Sequence, residues 1–84
     1  MSVEHIELRR GHQVNLSYAS FAAYTPSVLA DGTIHVKLAI AADGEHTYRL
    51  HPGETFPVGD ETWKLDHVEN PSGPEWAIHL VRVK

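Results

Sequence analysis

The chain contains no cysteine. No disulfide can brace it, which excludes the stapled secreted miniproteins and points to a reducing compartment. It has no run near the roughly 18 apolar residues that a membrane-spanning helix needs. The start, Met1-Ser2-Val3-Glu4-His5, holds no apolar stretch of the kind a signal peptide requires. A cytoplasmic location is therefore expected. Basic residues are scarce, with seven Lys and Arg against eleven Asp and Glu and a formal charge of −4. Nucleic-acid binding needs clustered cations that displace counterions, and an anionic membrane makes the same demand. Neither partner is expected. Glycine and proline number six and five, too few for a low-complexity segment. No window keeps an i, i+3, i+4, i+7 apolar stripe over successive turns, so no helix is expected.

What is present suffices for one β-domain spanning residues 1–84. Of the 84 residues 42% are hydrophobic, which excludes the low-hydrophobicity profile of disorder. A domain this small hides only a little over about 60% of the surface its unfolded chain exposes. Its core can hold one layer of side chains between two sheets. Histidine is abundant, with seven copies, and protonating all of them would move the charge from −4 to +3. Solubility and self-association are expected to respond to pH near the ordinary imidazole value of about 6.5.

The dominant period is two. Ile34, Val36, Leu38 and Ile40 alternate with Thr33, His35, Lys37 and Ala39, the pattern of a strand with one apolar face. Asp31-Gly32 and Asp43-Gly44 bracket it, and Asp-Gly is a strong hairpin signal. A loop of Asp43-Gly44-Glu45, with Gly44 left-handed, sets Ile40 opposite Tyr48 and Leu38 opposite Leu50, keeping apolar residues on one face. The same logic at Asp31-Gly32-Thr33 pairs Val28 with Val36 and Ala30 with Ile34.

Further strands are expected at Val3 to Arg9 and Gln13 to Tyr18, turning at Arg10-Gly11-His12. Another follows at Tyr48 to His51, ending at Pro52-Gly53. Thr55 to Val58 is short, and Pro57 confines it to an edge. A closing hairpin joins Thr62–Val68 and Trp76–Val83 around Asn70 to Pro74. Ala19 to Ser27 fits no strand parity; it extends a strand through a bulge or forms a loop with a short helical turn. The fold class is all-β, an antiparallel sandwich or small barrel of about six to eight short strands.

Leu50, Gly53, Glu54, Phe56, Val58, Gly59, Trp63 and Leu65 carry a pattern of leucine, a Gly-Glu turn, an apolar pair before glycine, then Trp-x-Leu. In this the second half of the chain resembles a family of short uncharacterised actinobacterial β-domain proteins. The resemblance implies a β-domain in a bacterial cytoplasm and no known activity.

Candidate chemistry is sparse. Pro57-Val58-Gly59 matches part of a cupin metal motif, but position 62 is Thr62 and no His-x-His occurs. Zinc needs three or four converging donors. His46 and His51 fall on opposite faces of one strand, and His35 shares a solvent face with Lys37. No metal and no cofactor are expected. The last hairpin puts His67 on the inner face with Trp63 and Leu65, across from Trp76, Ile78 and Leu80. His67, Trp76 and Tyr48 are the candidate ligand-binding residues, with His67 a hydrogen-bonding group at a pocket mouth or a structural histidine bonded to a backbone carbonyl. On the other face, one register sets Asp66 opposite His79, an ordinary cross-strand ion pair. No activated serine accompanies them, so a hydrolase triad is rejected and no catalytic residue is assigned.

Two functions remain. The first is a noncatalytic binding or accessory module that self-associates as a homodimer or holds a protein partner through an edge strand. The apolar segment around Phe21 and Tyr24 is its candidate edge. The second is a small-molecule-binding β-barrel with isomerase- or cyclase-like activity resting on His67. A barrel this short is normally filled by its own side chains, which favours the first.

Overall fold

The computed structural model describes residues 4–84, which form strands and turns without a helix. Val3, part of the first expected strand, lies outside the described residues. The strands are β1 (His5–Arg9), β2 (Val14–Asn15), β3 (Ser20–Ala23), β4 (Ser27–Val28), β5 (Ile34–Ala41), β6 (Glu45–Leu50), β7 (Thr55–Val58), β8 (Glu61–Glu69) and β9 (Ala77–Arg82). They build a four-stranded antiparallel sheet in the order β1-β9-β8-β7 and a five-stranded one in which β2, β3, β4 and β6 gather on β5. The all-β sandwich expected from the alternation is present. There are more strands than expected, because the stretch between Ala19 and Val28 is cut into two short pieces.

Each sheet turns one apolar face inward. β5 supplies Val36, Leu38 and Ile40, and β3 supplies Phe21. Facing them are Ile6, Leu8, Trp63, Leu65, Ile78 and Leu80 from the four-stranded sheet. Val36 and Leu38 have no exposed surface. The ring centroids of Phe21 and Trp63 are 5.5 Å apart at 55°, and those of Tyr48 and Phe56 are 5.8 Å apart. These tilted contacts interlock the two layers.

The β5–β6 turn keeps the expected parity but not the expected register. Leu38 lies opposite Tyr48 and Val36 opposite Leu50, two residues from the expected pairing of Ile40 with Tyr48 and Leu38 with Leu50 that loop Asp43-Gly44-Glu45 would set. The loop is Ala42-Asp43-Gly44, closed by Ala42 N–H donating to Gly44 O at 2.9 Å. Asp43 and Gly44 both have positive φ, 53° and 105°, the conformation that Asp-Gly supplies most readily. At the preceding turn Val28 pairs with Ile34 rather than Val36. Leu29 N–H donates to Thr33 O across a wider loop, which slides the register by two and preserves the faces.

The expected first hairpin does not form. After the turn at Gly11, closed by His12 N–H donating to Arg9 O, the chain changes sheets. β1 pairs with β9, and β2 pairs with β3. Parity specifies faces, not neighbours. The segment around Phe21 is not an open edge either. β3 has β2 on one side and β5 on the other, and Phe21 is wholly buried. Past Ala23 the strand breaks at Tyr24-Thr25-Pro26, because proline cannot donate to the ladder. β4 then takes up the pairing with β5. β7, with Pro57, is an edge strand as expected, paired among the described residues with β8 alone.

Candidate functional site

The outer face of the four-stranded sheet gathers imidazoles and carboxylates from three strands. In β1, Ile6 and Leu8 point into the core, so His5, Glu7 and Arg9 point out. In β9, Ile78 and Leu80 point in, and His79 points out opposite Glu7. β8 would not match these by strict alternation, because Leu65 is inward and His67 would follow it. A β-bulge between Leu65 and His67 changes this. Asp66 is the extra residue, both Asp66 and His67 are exposed, and Val68 returns to pack on the core. His67 therefore stands opposite His79, not inside with Trp63, and the expected pairing of Asp66 with His79 is replaced. The bulge re-aims one side chain, a recurrent use of the device.

The result is a row across three strands. The His67 and His79 rings stack at 4.1 Å and 11°, and His5 stacks on the other side of His79 at 5.2 Å and 12°. His79 is only 8% exposed although it lies on an outer face. Both its nitrogens are engaged. Nδ1 meets His5 Nε2 at 3.0 Å, and Nε2 meets Glu69 Oε1 at 2.5 Å with Glu7 Oε2 at 3.5 Å. His67 Nδ1 is 2.7 Å from Asp66 Oδ2. That hydrogen bond holds the Asp66 carboxyl below its ordinary range, with the charges of His67 and Lys64 adding to it. One donor atom from each of His67, Glu69 and His79 lies within 4.8 Å of the others, the arrangement a metal ion can exploit. Sequence reasoning missed His5, Glu7 and Glu69. Outward parity in β1 was legible, but nothing in the sequence says that β1 lies beside β9 or that β8 carries a bulge.

A second polar cluster tethers Tyr18, from the β2–β3 turn, to β8 and β9. Glu61 accepts from Tyr18 Oη at 2.7 Å, Trp63 Nε1 at 3.0 Å and an Arg82 guanidinium nitrogen at 2.8 Å. The Tyr18 hydroxyl bond, with help from Arg82 and Trp63, holds the Glu61 carboxyl below its ordinary value. The same bond, and the nearby carboxylate charge, raise the Tyr18 phenol.

The three residues singled out from the sequence do not share a pocket. His67 is on the outer face. Trp76 is buried in the core, and Tyr48 is packed at its margin. Tyr48 lines one surface hollow with Ile40, His46 and Pro57, while Trp76 lines a different one beside Arg9, Arg10 and His12. The Trp76 indole N–H is buried and has no hydrogen-bond partner among the described residues. A further hollow, about 410 Å³, lies between Tyr24, Leu29, His35, Lys37 and Arg49 on the five-stranded sheet. The inner faces themselves are filled by aromatic and branched side chains. No helix among the described residues is long and apolar enough to cross a membrane.

Residues 3–84 match the model of a Family of unknown function (DUF6406). No curated protein and no solved structure matches the chain.

Proposed function

We propose that the chain, which belongs to this family of unknown function, is a noncatalytic binding or accessory module that pairs with a second copy of itself. Its setting, following the resemblance to short actinobacterial proteins, is a bacterial cytoplasm. The observation that carries the reading is the free edge of β6. This six-residue strand pairs with β5 alone among the described residues, and it contains no proline to blunt it. Its outer backbone groups are available to another strand.

The side chains of β6 suit a copy of themselves. Antiparallel pairing about a two-fold axis at Thr47 would set Glu45 of each chain opposite Arg49 of the other, because a self-complementary contact repeats every pair twice. Opposite charges facing each other across strands are favourable. Within one chain Arg49 instead faces Lys37 of β5, a like-charge pair that Glu45 of a second copy would relieve. The filled interior also favours association over an enclosed ligand site, since the hollows lie on the surface and ligand pockets are usually deep clefts of about 300 Å³ or more.

Light scattering coupled to size exclusion, over a wide concentration range, tests this. A dimer is expected, lost in Arg49→Glu and regained when Glu45→Arg is added to it. A monomer at every concentration, or a dimer indifferent to these charges, overturns the reading.

A further inference from the structure

We propose that His67, Glu69 and His79, on the outer face of the four-stranded sheet, bind a divalent transition-metal ion, zinc being the best match to the donors. This does not depend on the β6 edge, which belongs to the other sheet. Two imidazole nitrogens and a carboxylate oxygen form the protein share of an open zinc site, with the fourth position left for water or a second carboxylate. Glu7 Oε2 lies 3.5 Å from His79 Nε2 but accepts from an Arg9 guanidinium nitrogen at 2.9 Å, so water is the natural fourth ligand. Calcium and magnesium favour oxygen ligands and fit this set poorly.

The hydrogen bonds behind the donors strengthen the assignment. Metal-bound histidines usually donate their other ring N–H to an oriented acceptor, which fixes the tautomer and leaves the second nitrogen for the metal. His67 has Asp66 against Nδ1, which leaves Nε2 free. His79 has His5 against Nδ1, which leaves Nε2 toward Glu69 and Glu7. Both imidazoles thus have an outer-shell partner, and His79, the more buried of the two, is additionally stacked on His5. A bare surface cluster of histidines would need none of this.

The spacing is within reach. Zinc bonds of about 2.0–2.1 Å set tetrahedral donors roughly 3.4 Å apart, against the 4.8 Å that encloses the three atoms. The side chains of His67 and Glu69 are each 52% exposed and can rotate to close the gap, while that of His79, at 10%, stays as the anchor.

Calorimetric titration of the full, tag-free chain with zinc chloride is the test, with Co²⁺ as a spectroscopic probe. One ion per chain at micromolar affinity or tighter is expected, with a visible Co²⁺ absorption band and a zinc-dependent rise in Tm. His67→Gln and Glu69→Gln, both at exposed positions, should lose all three signals yet melt normally without metal. Asp66→Asn should weaken binding by about tenfold or more through loss of the orienting bond. His46→Gln and His51→Gln should change nothing. The assignment is overturned if zinc is not taken up, or if uptake survives the His67→Gln/Glu69→Gln double variant, which would make it nonspecific capture by scattered histidines.

Discussion

His67 of β8 and His79 of β9 face each other across the strand pair with ring centroids 4.1 Å apart. With Asp66 in the chain, they meet because it is accommodated as an extra, bulged residue between Leu65 and His67. Leu65 pairs with Leu80 and Val68 with Ile78, both on the inner side, so two outward positions must fit between Leu65 and Val68 where regular alternation allows one or three. The bulge absorbs the mismatch.

Deleting Asp66 should therefore be tolerated. Leu65, His67 and Val68 would then read in, out, in without a bulge, in register with Leu80, His79 and Ile78. The expected change in stability is within about 1 kcal/mol, or roughly 4–8 °C in Tm for a domain this size. Deleting Lys64 should instead prevent cooperative folding, because it drives Leu65 to the outer face. Thermal melts of the two deletions make the comparison, and equal damage from both would refute the bulge account.

Glu61 is the acceptor for three donors, and its loss strands the Trp63 indole N–H. Glu61→Ala should cost about 1–3 kcal/mol, the range for leaving buried donors unsatisfied. The pH dependence follows from the sign of the shift. The folded-state value lies below the ordinary 4.5, chiefly through the Tyr18 hydroxyl. The unfolded chain thus binds the proton more readily, and the stabilisation is present above pH 4.5 and lost as pH falls through the lower folded value. The gap in Tm between the native chain and Glu61→Gln should be full at neutral pH and narrow in acid. A gap that does not change with pH would contradict this.

The alkaline counterpart is Tyr18. Its phenol is raised above the ordinary 10.0, first by the hydrogen bond to Glu61. Its stabilising share is complete below pH 10.0 and is lost as pH rises through the folded value. Absorbance titration of phenolate should show the Tyr18 contribution late, absent in Tyr18→Phe and shifted down in Glu61→Gln.

The two tryptophans should respond differently to one change. Trp63 is fully buried and its N–H reaches Glu61, whereas the Trp76 N–H has no partner among the described residues. Trp63→Phe loses volume and leaves Glu61 short of a donor, at an expected cost of about 2–4 kcal/mol. Trp76→Phe loses similar volume but also removes an unsatisfied group, which offsets part of the cost, so about 1–2 kcal/mol is expected. Denaturant melts that rank the two in the opposite order would count against this assignment of partners.

The class of fold and most of the inward faces follow from the order of residues alone. Alternation at Ile34–Ile40, the Asp-Gly turns and Pro57 are local signals, and the alternation and turns rest on backbone geometry that holds in any β-protein. Those signals fix which side a residue faces and where the chain reverses. They do not fix which strands become neighbours, which is a matter of long-range packing. Long-range packing set β1 beside β9, left β6 with β5 as its one strand neighbour among the described residues, and inserted the bulge that turned His67 outward. A bulge changes parity without leaving a mark in composition, and it is favoured because burying Leu65 and Val68 together outweighs one unpaired backbone step. The assembly of His5, His67 and His79 from three separate stretches of chain follows from that packing.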